Sequence, residues 1–165
     1  MKSTGIVRKI DDLGRIVLPK ELRQTLNITA GDDFEILMEN DIIILKKFSR
    51  ISSITEDIQK LIISFSKNIN FSIFITTNDK VINFNNEKLF PEITKLIKER
   101  KVHIGEHPNQ IKISQTLLLD GKYIIMPIII NSDLLGSIIA FGKEEIKNMQ
   151  TICNILYSII KTYFV

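Results

Sequence analysis

Six cations stand within the first 26 residues, and four of them, Arg8, Lys9, Arg15 and Arg23, are the candidates for binding chemistry. Arg8 and Arg15 flank Asp11-Asp12-Leu13-Gly14, a turn sequence in which Gly14 is free to take a positive φ. An antiparallel hairpin at that turn would bring the two arginines together, and a second chain would double the cluster. Such a face suits phosphate: log K falls by about 0.9 per neutralised phosphate per decade of salt. Arginine forks also reach the acceptor edge of guanine. The bland alternative is an intramolecular or solvated ion pair with Asp11, Asp12 or Glu21.

Other chemistry is thin. His103 and His107 bracket Glu106, but Gly105 and Pro108 spoil a helix there, so a solvated loop is expected rather than a metal site. Cys153 falls on an apolar helical face and reads as a small core residue. There is no Ser–His–acid set and no glycine-rich phosphate loop. No cofactor, no metal and no catalytic residue are expected, and the chain does not read as an enzyme.

The 165 residues are 44% hydrophobic and 25% charged, with a net charge of +3. That is ordinary for a globular chain. One cysteine excludes an internal disulfide framework. No apolar run reaches ~18 residues, the length that would span a membrane. The start has Lys2, Arg8 and Lys9 but no apolar core of a secretory signal, so a cytoplasmic location is expected. The charge is split: residues 1–26 carry net +3 and residues 27–48 net −3.

The elements that must position the cations are short. Thr4–Ile10 and Arg15–Leu18 read as strands, and Pro19 opens a helix running to Leu26, with Leu22 and Leu26 inward. Asn27 and Ala30-Gly31-Asp32 break it. Asp33–Glu39 alternates, and Ile42–Leu45 is an apolar strand needing cover on both faces. About fifty residues of this kind make a poor solitary core. A dimer is therefore expected for residues 1–50. Ser53-Ile54-Thr55-Glu56 reads as a capping box that starts a linking helix within residues 51–68. Ile51, Ile54, Ile58, Leu61 and Phe65 form its seam, facing either its own domain or a dimer mate.

Residues 69–165 read as a second domain. Phe71–Ile75 and Val81–Phe84 are strands, and Pro91 opens a helix to about Lys101. His103–Asn109 is a loop. Ile111–Leu119, Tyr123–Ile130 and Leu134–Phe141 form an antiparallel meander turning at Asp120-Gly121 and Asn131-Ser132-Asp133. A helix over Lys143–Val165 closes the chain. Met149, Cys153, Leu156, Ile160 and Tyr163 suffice for one sheet face. Ile152, Ile155, Ile159 and Phe164 are left for another subunit, which makes a tetramer the expected assembly. The fold class is α+β.

The run Lys2 to Arg23, with Asp11-Asp12-Leu13-Gly14-Arg15-Ile16-Val17-Leu18-Pro19 at its centre, resembles the DNA-binding domain of the AbrB and SpoVT transition-state and sporulation regulators. The likeness continues through Leu26, Ile28, Gly31-Asp32, Glu35-Ile36 and Ile44-Leu45-Lys46-Lys47. It implies a swapped-hairpin, β-barrel-like dimer that binds double-stranded DNA through Arg8, Arg15 and Arg23, with Lys9 beside them. The next helix position is commonly Arg in the family and is Gln24 here. The resemblance also implies indirect readout of flexible AT-rich DNA. The second domain resembles a GAF domain through Asp120–Ile130 and Leu135–Ile139, which implies a sensor for a small-molecule ligand or an assembly module.

The expectation is therefore a DNA-binding transcription regulator of the sporulation type. The alternative is an antitoxin-type autorepressor. Antitoxins of this kind carry disordered tails, whereas residues 69–165 are periodic and rich in Ile and Phe.

Overall fold

The computed structural model describes residues 4–26 and 28–164. Lys2, the helix-breaking role of Asn27 and the end of the last helix at Val165 lie outside the described residues. The chain divides into two compact units, residues 1–48 and 49–165, and mixes helices with antiparallel sheets.

The first unit opens with the hairpin tip at Asp11–Gly14. Gly14 N–H donates to the Asp11 carbonyl at 2.9 Å, and Asp11 N–H donates to the Arg15 carbonyl at 3.0 Å. Gly14 has φ 76°. A four-residue turn ending in a left-handed glycine, with Asp11 paired to Arg15, makes this a three-residue hairpin loop. The strands expected on either side do not form: residues 4–10 and 15–19 carry no ladder in the single chain. Helix α1 (Lys20–Thr25) follows, with Pro19 as its N-cap. Then come β1 (Phe34–Glu39) and β2 (Ile42–Lys47), antiparallel from Glu39 opposite Ile42 to Phe34 opposite Lys47. Asn40, at φ 51°, makes the turn.

This unit has almost no interior of its own. Pro19 is its only buried residue among those described. Val7 is 86% exposed and Met38 83%, and Ile36, Ile43 and Leu45 are exposed as well. Leu26, expected inward, is also exposed, and Leu22 is only half-buried. Burying one such side chain is worth roughly 1.5–3 kcal/mol. The missing ladders and the missing core have one physical cause: these segments lack partners within a single chain.

The second unit is the reverse. Its four-stranded antiparallel sheet has the order β3-β6-β5-β4. The strands are β3 (Phe71–Thr76), β4 (His103–Lys112), β5 (Leu118–Ile130) and β6 (Asp133–Gly142). Alternation along the strands feeds two cores. One holds Ile73, Ile75, Ile124, Met126, Ile128, Ile138 and Ala140 with Met149, Cys153, Leu156 and Ile160 of α4 (Ile146–Thr162). Ile51 and Ile58 complete it, the latter from α2 (Thr55–Ser66). The other core places Ile125 and Ile139 with Ile93 and Ile97 of α3 (Pro91–Lys98). The sheet thus lies between α2 and α4 on one face and α3 on the other.

Several local expectations are corrected here. For the α2 seam, where the sequence left its own domain and a dimer mate open, the first holds: Ile51 and Ile58 are buried in their own unit, with Ile54, Leu61 and Phe65 against them. The capping box is not made. Ser53 instead donates its hydroxyl to the Arg50 carbonyl at 2.6 Å, within a 3-10 turn over Arg50–Ile54. His103–Asn109 belongs to β4, because its backbone pairs with β5 from His103 opposite Ile125 to His107 opposite Gly121. The β4–β5 turn falls earlier, where Ile113 N–H donates to Leu117 O at 2.9 Å. Gly121 has the positive φ of a turn residue, 84°, but it lies inside β5. A Cβ there would come within 2.8 Å of the Gly142 carbonyl. Val81–Phe84 makes a single bridge, Thr76 with Val81, rather than a strand. Tyr163, expected on the sheet, is 44% exposed.

Candidate nucleic-acid interface

The hairpin tip is held by one side chain. Asp11 Oδ1 accepts from Leu13 N–H at 3.0 Å and from Arg15 N–H at 2.8 Å. Its Oδ2 accepts from Arg15 Nε–H at 2.9 Å. The Arg15 N–H bond, helped by the Arg15 side chain and Leu13 N–H, holds the Asp11 carboxyl below its ordinary value of 3.8. The turn and the arginine are therefore fixed by the same carboxylate.

The expected site residues separate into two kinds. Arg15 makes the intramolecular pair that was the bland alternative for it, yet its side chain stays 70% exposed. Only Nε is engaged, so both terminal guanidinium nitrogens lie outside the contact. Arg8, Lys9, Arg23 and Gln24 are exposed, and none of them makes a side-chain bond among the described residues. Arg8 and Lys9 precede the tip, and Arg23 and Gln24 lie on α1. No ladder brings Arg8 alongside Arg15 in the single chain.

Two of the acidic side chains of this unit pair with lysines of the β1–β2 region rather than with these cations. Lys46 pairs with Glu35 at 3.5 Å, and Lys47 with Asp32 at 3.0 Å. Asp12 and Glu21 make no ion pair among the described residues. Asp11, read in the sequence as a turn residue and as one candidate ion-pair partner, takes both parts; the reading missed that its carboxylate also holds the Leu13 and Arg15 backbone N–H groups. Its signal was available: an Asp two residues before the leucine and four before the arginine is the spacing for both backbone bonds.

The second unit offers little chemistry. Cys153 is buried, and burial pushes its thiol up to about 12. His103 Nε2 lies 3.4 Å from Glu99, and no group of three or more His, Cys, Asp or Glu among the described residues could hold a metal. No helix among them is long and apolar enough to cross a membrane.

The family model for the antidote-toxin recognition protein MazE, a bacterial antitoxin, matches residues 7–51. Stage V sporulation protein T of Bacillus subtilis (strain 168) is 31% identical over 155 residues, covering 88% of this chain and 87% of that protein. The transition state regulatory protein AbrB of the same organism is 60% identical over 48 residues, 29% of this chain and half of AbrB. A solution structure of the N-terminal DNA recognition domain of B. subtilis AbrB matches 29% of this chain and 91% of that domain, with a TM-score of 0.26. The chain belongs to the AbrB/SpoVT family of transition-state and sporulation regulators, and its similarity to stage V sporulation protein T runs through both units.

Proposed function

We propose that the chain is a DNA-binding transcription regulator in which two copies of the first unit combine into a swapped-hairpin dimer. Arg8, Lys9, Arg15 and Arg23 of both copies, with Gln24 beside them, meet the duplex. The carrying observation is the first unit itself: exposed cations on a hairpin whose apolar residues lack cover within one chain. AbrB, 60% identical over this stretch, has an N-terminal domain described as its DNA recognition domain. Gln24 supplies an amide where the family commonly has a cation, which lowers the charge of the face by two per dimer.

The second unit acts as a GAF-like module for ligand sensing or assembly in this reading. Of Ile152, Ile155, Ile159 and Phe164, expected to face another subunit, only Ile155 is exposed: Ile159 is half-buried, and Ile152 and Phe164 pack against the core of their own unit. Ile155 on α4 and Ile63 on α2, both exposed, support association of second units into a tetramer. The location in this reading is the cytoplasm. The antitoxin reading draws on the MazE match over residues 7–51. The two cores of residues 49–165 speak against a disordered toxin-wrapping tail. A salt-dependent titration of duplex DNA tests the assignment. Affinity that falls steeply with salt supports it, and no duplex binding at low salt overturns it.

A further inference from the structure

We propose that Asp11 is a positioning residue for DNA readout, presetting the Arg15 side chain before the duplex arrives; the inference rests on the DNA-binding reading above. The geometry is a double tether. Arg15 N–H and Arg15 Nε–H both end on the Asp11 carboxylate, at 2.8 and 2.9 Å. The carboxylate is itself restrained, because Oδ1 also accepts from Leu13 N–H. Arg15 is therefore tied to one short turn both at its backbone and at Nε of its side chain. A guanidinium held through Nε keeps its two terminal nitrogens for a paired contact with a guanine edge or a phosphate. Among the described residues Arg8, Lys9 and Arg23 have no ion pair of this kind. They supply charge with free rotamers, whereas Arg15 supplies charge with direction.

The competing role for Asp11 is that of a plain anion, which repels phosphate and must give up Arg15 to it. The two roles predict opposite effects of Asp11→Asn. Asparagine keeps an oxygen for the Leu13 and Arg15 backbone N–H groups, so the turn is retained. Its amide nitrogen then faces Arg15 Nε–H, donor against donor, and the side-chain tether is lost. A plain anion, once removed, would leave every duplex bound more tightly by the same factor. A positioner, once removed, would lower the preference for a chosen sequence.

The test uses the full chain and two duplexes: one enriched by the wild-type protein from a random-sequence pool, and one of mixed sequence. The expected result for Asp11→Asn is a preference ratio reduced by about fivefold or more. In an Arg15→Ala background the same change should leave the ratio unaltered, because the coupling needs both partners. An unchanged ratio in Asp11→Asn, or an equal fall in the Arg15→Ala background, overturns the inference while leaving DNA binding intact. Wild-type protein that enriches no duplex from the pool and does not bind the mixed-sequence duplex overturns the DNA-binding reading and this inference together. A readout on the wild type needs no variant. In NMR the Arg15 Nε–H should exchange with water more slowly than that of Arg8, and equal exchange overturns the tether.

Discussion

The Tyr157 hydroxyl donates to the Ile129 carbonyl at 2.6 Å. That bond ties α4 to β5, and it marks the second unit as one that satisfies itself: helix, strand and core are joined within residues 49–165. Tyr157→Phe should cost this unit about 1 kcal/mol, the usual net worth of such a bond. Denaturant unfolding of the full chain should show the loss, with duplex affinity unchanged. A matching loss of DNA affinity would mean that the units are not separable in function.

The first unit should behave in the opposite way. Residues 1–48 bury only Pro19 among the described residues, so the isolated segment should sediment as a dimer at micromolar concentration and unfold on dilution. A compact monomer with native circular dichroism would refute the claim that a second chain supplies the missing core.

Assembly beyond the dimer should run through the second unit. Ile155, 42% exposed, lies on α4 beside residues that are buried in the core. Light scattering of the wild type should give four chains of 19.0 kDa each. Ile155→Lys should reduce that to two chains. Wild type at two chains, or a variant that keeps the larger mass, would remove this interface.

Cys153 should resist thiol reagents in the native protein at neutral pH, because burial holds the thiol protonated up to about 12. Its ordinary value is 9.0. The neutral thiol therefore favours the folded state fully below about pH 9, and that contribution is lost as pH rises toward 12. Rapid maleimide labelling of the folded protein would contradict the burial. Asp11 has the opposite sign. Its value is lowered from 3.8, so the tip is fully tethered above that pH and is released only as acid carries the solution through the lowered value. The Arg15 Nε–H signal should persist from neutral pH down past 3.8.

Much of this was legible because it is local. Gly14 and the Asp11 turn, Pro19 at the start of α1, and Met149, Cys153, Leu156 and Ile160 on the buried face of α4 all follow from one residue's preferences or one helix's period. The failures come from pairing. Thr4–Ile10 alternates like a strand, yet a strand needs a neighbour, and this chain offers none. His103–Asn109 carries loop residues, Gly105 and Pro108, but β5 is long enough to pair with it. Gly121 read as a turn because its freedom serves a positive φ inside β5. Asp11 was legible as a turn residue and as one of three candidate partners for the arginines; that it takes Arg15 depends on where the end of that side chain lies, which spacing alone does not fix.

The central claim is that the hairpin cations of paired first units bind duplex DNA. A fluorescence anisotropy titration tests it most directly, comparing the wild type with Arg8→Ala/Arg15→Ala at two salt concentrations. The variant should remain folded and keep its assembly mass. Each lost charged contact should cost roughly 1–3 kcal/mol, and the salt slope should fall by about 0.9 for each phosphate no longer neutralised. A folded double variant with wild-type affinity and wild-type salt slope would contradict the account.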